Sequence, residues 1–128
     1  MKAFLIFSHH LTEKQHEDLR LNWKITDLVP LPSQLQDLWS NIPAQIELIE
    51  AYIEPVTEWL SSGSSPGDLA LIQGDSGATC ILVQAAYRFG LVPVYSTTER
   101  IVRERRSVDG KVYQERVFEH VRFRIYGR

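Results

Sequence analysis

Apolar residues along this chain fall into two patterns, and the alternation between them predicts the fold. Short, largely apolar runs at Lys2–Phe7, Ile25–Leu31, Leu69–Gln73 and Leu91–Tyr95 read as strands of a mostly parallel sheet. Helical spacing lies between them. Thr12-Glu13-Lys14-Gln15 fits a capping box, with Thr12 as N-cap and Gln15 at N3, and predicts a helix to about Asn22. Pro30 and Pro32 stop the second strand. Ser33 is placed to cap a short helix carrying Leu35, Leu38 and Trp39, which ends near Asn41-Ile42-Pro43. Ile46, Ile49, Ile53, Val56 and Leu60 form an amphipathic stripe over Ala44–Leu60, which Pro55 should kink or split. Ser61–Gly67 reads as a flexible loop, too short to separate domains. Leu69–Ile72 then runs straight into Gln73-Gly74-Asp75-Ser76-Gly77, and an apolar helical segment follows over Ala78–Phe89, closed by Gly90 as a C′ residue.

The pattern changes after Tyr95. Ser96-Thr97-Thr98-Glu99-Arg100 reads as a polar segment at a strand end. Ile101–Val108 and Lys111–Tyr126 look like two long strands joined by an Asp109-Gly110 turn, with a bulge where Val117, His120, Phe123 and Ile125 break alternation. Strands alternating with helices predict one α/β domain over residues 1–128: a Rossmann-like, mostly parallel sheet with helices on both faces and a C-terminal β-hairpin. No Gly-x-Gly-x-x-Gly follows the first strand and no Walker lysine is present, which argues against NAD, FAD and ordinary ATP chemistry.

Composition narrows this further. A hydrophobic content of 44% and a charged content of 23% are those of an ordinary globular protein, and no apolar run is long enough to span a membrane. The short apolar start lacks the features of a signal peptide, so a cytoplasmic protein without membrane contact is expected. The single cysteine, Cys80, excludes an internal disulfide and a thiolate zinc site, and is expected as a buried small hydrophobe. A net charge of −2 gives no attraction to duplex nucleic acid. The charge is uneven, however: residues 1–98 hold 5 basic and 11 acidic side chains, whereas residues 99–128 hold 9 basic and 5 acidic. A basic segment on an acidic body suits an anionic ligand or an acidic partner surface, or alternatively a solvated hairpin with cross-strand ion pairs.

Three polar clusters fall at expected strand ends: Ser8-His9-His10, Gln73–Thr79 and Ser96–Arg100. In a parallel sheet such ends share one edge, where ligands bind. Gly74 and Gly77 permit close backbone approach, and the N–H groups of the next helix favour an anion. The plainer reading of Asp75 or Ser76 is an N-cap. Ser8, Ser76, Thr79, Thr97 and Thr98 offer hydroxyls, Gln73 an amide, and Arg100 and Arg122 guanidinium groups, which suit phosphate oxygens and ribose hydroxyls. His9 and His10 point to opposite sides of an extended backbone, so one of the two should face the crevice and exchange a proton with a ligand. His9, His10 and Asp75 form at best a poor metal site, and no cofactor is expected. His120, among Phe118, Val121 and Phe123, reads as a structural member of the sheet, and Arg122 and Arg124 either clamp phosphate or pair with Glu104 and Glu115. Trp39 is favoured as a core anchor of its helix, while Asn41 is left as a candidate for hydrogen bonding to a base.

Taken together, Ser8-His9-x-Leu11-Thr12, Leu38-Trp39-Ser40-Asn41-Ile42-Pro43, Gln73-Gly74-Asp75-x-Gly77-Ala78-Thr79, Tyr95-x-Thr97-Thr98-x-Arg100 and Phe118-x-His120-Val121-Arg122-Phe123-Arg124 resemble a small family of CRISPR-associated proteins of type III systems. These are compact relatives of the CARF (CRISPR-associated Rossmann fold) domains, linked to ring nucleases. The resemblance covers nearly the whole chain. It implies a CARF-like homodimer that binds cyclic oligoadenylate, foremost cyclic tetra-adenylate, across a two-fold axis. It also implies metal-independent cleavage by attack of a ribose 2′-hydroxyl on the adjacent phosphorus, giving a 2′,3′-cyclic phosphate. On that view His9, Asp75 and Arg122 are the catalytic candidates, with Arg100 an alternative charge stabiliser. Ser8, His10, Asn41, Gln73, Gly74, Ser76, Gly77, Thr79, Thr97, Thr98 and Arg100 would hold the ring. The alternatives are a protein that senses or sequesters the ring without cutting it, and a structural CRISPR protein whose basic hairpin docks on a partner or on RNA.

Overall fold

The computed structural model describes residues 1–128. The elements run β1 (Lys2–Ile6), α1 (Glu13–Asn22), β2 (Asp27–Pro30), α2 (Ser33–Ser40), α3 (Glu50–Gly63), β3 (Leu69–Ile72), α4 (Ser76–Arg88), β4 (Val92–Arg106) and β5 (Val112–Ile125). They form one five-stranded sheet of order β2-β1-β3-β4-β5, parallel throughout except for the antiparallel β4–β5 pair. The fold is therefore the expected Rossmann-like α/β layout with a C-terminal hairpin.

Helices cover both faces unequally. On one face α2, α3 and α4 enclose Phe4, Ile6, Ile72, Trp39, Ile53, Leu60 and Leu82. On the other, α1 alone seats Leu19 against Ala3, Phe7, Leu71, Val94 and Phe123. β3 is buried at every residue because helices lie on both sides of it, which is why its sequence is continuously apolar. α4 ends as its sequence dictates. Gly90 takes φ +75°, its N–H donates to Tyr87 O, and Leu91 N–H donates to Ala86 O, satisfying the last free carbonyls.

Several boundaries differ from the sequence reading, each for a local reason. α3 starts at Glu50 rather than Ala44: Ile46, the first apolar position of the stripe, is exposed, while Ile49 packs against the core just before the helix. Pro55 lies inside α3 without splitting it. Ser61, Ser62 and Gly63 belong to the helix instead of the loop, and Ser62 and Ser64 return hydroxyl bonds to Glu58 O and Leu60 O. α2 begins at Ser33 with Pro32 as N-cap and no side-chain cap bond, so Ser33 does not cap. Cys80 is exposed, because the buried stripe of α4 is Ala78, Leu82, Ala85 and Ala86.

The largest difference concerns Ser96–Arg100. The strand does not end there. β4 continues from Val92 to Arg106, since β5 partners it along the whole length, and the pair extends past the last parallel contact, Leu71 with Val94. The result is a two-stranded arm leaving the carboxyl edge of the sheet. A register shift between Thr97 and Thr98 marks its root, at the bulge expected in the sequence. Along the arm Val102, Val112, Tyr113 and Phe118 are exposed.

Candidate functional site

β1 pairs with β2 on one side and β3 on the other, so the chain reverses its direction of travel across the sheet at β1 and β3. The carboxyl ends of those two strands flank the switch point where open α/β sheets place ligands. A crevice of about 430 Å³ opens there, lined by Ser8, His9, His10, Thr12, Gln15, Gln73 and Gly74 among others. A second cleft of about 630 Å³ lies across the β1–α1 loop, also lined by Ser8, His9 and His10, and by His16, Leu28 and Gln36. The loop thus forms a ridge with its imidazoles on both slopes. Ser8, His9 and His10 are all exposed.

The scaffold around the ridge is tightly hydrogen-bonded. Gln36 Nε2 donates to Phe7 O (2.8 Å), and Ser40 Oγ donates to Ser8 Oγ (3.0 Å), tying α2 to the loop. Trp39, buried in the core as expected, donates from Nε1 to Gln73 O (3.0 Å). Gln73 N–H donates to Ile6 O, and Ser96 N–H donates to Gln73 Oε1 (3.1 Å). Gly74 is required here by the indole: a Cβ would stand 2.7 Å from Trp39 Nε1. Gly77 is less constrained, with its nearest neighbour at 3.4 Å. Asp75 is the N-cap of α4, its Oδ2 accepting from Ala78 N–H (3.0 Å), which is the plainer of its two sequence readings. Ser76 and Gly77 stay exposed at the first turn, while the buried Thr79 Oγ1 has no partner.

The structure therefore brings Ser8, His9, His10, Gln73 and Gly74 into one crevice and leaves other candidates outside it. Asp75, Ser76, Gly77 and Thr79 follow on the next helix without lining it. Asn41 is the C-cap of α2, with Nδ2 donating to Asp37 O (2.9 Å). Thr97 Oγ1 is committed to Arg122, donating to its carbonyl (3.0 Å) and accepting from its N–H (3.3 Å). Thr98 pairs with His120 in the ladder, and Arg100 with Phe118 out on the arm. Arg122 lines a separate hollow with Asp18, Asn22 and Trp23. Arg124 donates to Tyr95 OH (3.3 Å) and stacks 5.8 Å from that ring, so neither Arg122 nor Arg124 pairs with Glu104 or Glu115. No group of three or more His, Cys, Asp or Glu side chains converges, so His9, His10 and Asp75 do not form a joint ligand set.

Two features escaped the sequence reading. Gln15, assigned to the capping box, holds that role through Oε1 (Thr12 N–H, 2.9 Å) and also lines the crevice, donating from Nε2 to Ser96 Oγ (3.3 Å). Behind it, Ser96 Oγ meets His120 Nδ1 at 2.5 Å, and His120 Nε2 meets Asp18 Oδ2 at 2.6 Å. Nearby, Lys14 bonds Glu119 (2.7 Å), and this hydrogen bond is the main reason the Glu119 carboxyl is held below its usual range. On the helix-rich face, burial, and then the neighbouring Tyr95, push the Tyr126 hydroxyl above its ordinary value.

Fold and site together define an open α/β protein with a polar crevice at its topological switch point. The chain belongs to the family described as the Uncharacterized protein MJ1673 family, which matches residues 1–124. It is 46% identical over 125 residues to the protein of that name from Methanocaldococcus jannaschii, covering 98% of this chain and 96% of the relative. No solved structure matches. No helix is long and apolar enough to cross a membrane.

Proposed function

We propose that this protein is a cytoplasmic ring nuclease that binds cyclic oligoadenylate, foremost cyclic tetra-adenylate, and opens it without a metal cofactor, ending type III CRISPR signalling. The observation that carries the reading is the crevice at the switch point, whose lining includes two histidines, a serine and two glutamines. These groups suit a phosphodiester flanked by ribose hydroxyls. A homodimer would place two such crevices about a two-fold axis, matching the symmetry of a four-membered ring.

In the reaction the 2′-oxygen attacks the adjacent phosphorus, the 5′-oxygen leaves and a 2′,3′-cyclic phosphate forms. Orientation supplies much of the rate, and His9 exchanges a proton with one of the two oxygens. Incubation with cyclic tetra-adenylate in EDTA tests this directly: opened ring is expected, and intact ring under single-turnover conditions refutes cleavage. His9→Ala should slow opening by about two to four powers of ten. A rate within a fewfold of wild type removes His9 from proton transfer. The exposure of both crevice imidazoles favours a second reading, a protein that sequesters the ring. Tight binding with no product would select it.

A further inference from the structure

His120 is the histidine in this chain engaged through both ring nitrogens, and its side chain is 3% exposed. Asp18 Oδ2 takes the Nε2 side and Asp18 Oδ1 accepts from Asn22 Nδ2 (2.7 Å), so the carboxylate, 10% exposed, is held at both oxygens. A carboxylate at Nε2 fixes the proton there and leaves Nδ1 as the acceptor. In that tautomer the Ser96 hydroxyl donates to His120 Nδ1, with Thr97 O a second and longer acceptor at 3.5 Å, and its lone pairs receive the Gln15 amide. This is the hydrogen-bond order of a Ser-His-Asp triad with the two imidazole nitrogens exchanged. The residues come from β4, β5 and α1. The bulge between Thr97 and Thr98 sets the registration at which His120 reaches Ser96.

A sheet needs no such chain for packing, and its location is specific. Ser96 binds both carboxamides of the crevice, through its N–H to Gln73 and its hydroxyl to Gln15. We propose that Asp18, His120 and Ser96 form a proton relay behind the crevice wall, with Ser96 Oγ as the base for the attacking hydroxyl of a bound phosphodiester. This rests on the reading above and gives it the second proton-transfer group that His9 alone cannot supply. A ligand hydroxyl that replaces the Gln15 amide meets Ser96 Oγ. The 2′-hydroxyl proton passes to Ser96 Oγ as the serine proton moves to His120 Nδ1. The imidazolium so formed keeps its Nε2–H on the Asp18 carboxylate. The 2′-O–P bond forms, the 5′-O–P bond breaks, and the 5′-oxygen takes a proton from His9. Exchange with solvent then resets both histidines. Ser96 is the catalytic group here, and His120 and Asp18 are positioning residues.

Two measurements on the full chain test the relay. The first needs no ring. A small fluorophosphonate should phosphonylate Ser96, forming Ser96 Oγ–P, releasing fluoride and passing the proton to His120. Peptide mass analysis is expected to find the adduct on Ser96 in the wild type and at least tenfold less in His120→Gln and Asp18→Asn. An unlabelled Ser96, or equal labelling in those variants, overturns the relay. The second compares ring opening and ring binding in Ser96→Ala and His120→Gln. Opening should fall by at least about a hundredfold, with binding within threefold of wild type and thermal midpoints showing that both variants fold. Wild-type rates in folded variants overturn the relay while leaving the ring nuclease reading intact. Labelled Ser96 with uncut ring does the reverse: the activated serine stands and the ring nuclease reading falls.

Discussion

β4 and β5 do two different jobs on either side of Ser96. Toward the body, Val94 and Phe123 are buried beneath α1, next to β3. Beyond Thr98 the same two strands keep their ladder but lose their cover, and Val102, Val112 and Phe118 face solvent. Hydrogen bonds are thus common to both regions and burial belongs to one. A two-stranded ribbon is marginal in water without a packed face, so the body must supply nearly all the stability of the chain. The arm's ion pairs do not alter this. Arg105 with Glu115 (3.4 Å) is exposed on both sides, and such pairs contribute at most about 1 kcal/mol.

This contrast can be broken or sharpened by substitution. Leu82→Ala, at a fully buried position of α4, should cost about 2–5 kcal/mol in denaturant unfolding. A loss below about 1 kcal/mol would mean the helix-rich face is not the chief core. Gly74→Ala should cost about 1–3 kcal/mol, because the new methyl meets an indole pinned to Gln73 O. Unchanged stability there would show that Trp39 is free to move. Thr12→Ala removes the hydroxyl that accepts from Gln15 N–H, and about 1 kcal/mol is expected by the same measurement. The smallest effect should come from the largest change. Replacing Glu99–Glu119 by an Asn-Gly turn should shift the unfolding free energy by no more than about 1 kcal/mol. A larger loss would show that the arm, through Lys14 and Glu119, braces α1.

The sequence revealed the body because its signals are local. Four apolar residues ending at Ile72, a capping box at Thr12 and a glycine at position 90 each state an element within a few residues. Ser96–Arg100 misled because its polarity reads as the end of a strand, although Thr97 and Thr98 are β-branched and fit an exposed strand. Five of the eight residues that line the candidate crevice were legible, since Ser8–His10 and Gln73–Gly74 lie directly after strands. The Asp18–His120 contact was not, because its members are 102 residues apart and meet only through the register of a bulged strand. No spacing rule in the sequence encodes that register.

Asp68 shows a further consequence of the parallel order. Its buried carboxylate accepts the N–H of Lys2 (3.1 Å) and of Ser65 (2.9 Å), and its carbonyl accepts from Val92 N–H, so it locks the amino ends of β1, β3 and β4 together. During synthesis β1 emerges first, and its inner edge has no partner until β3 appears 66 residues later. The arm, whose contacts are local, can close within microseconds once made. The stable part of this protein is therefore the slow part, and the nascent chain carries an open apolar strand edge until β3 is made.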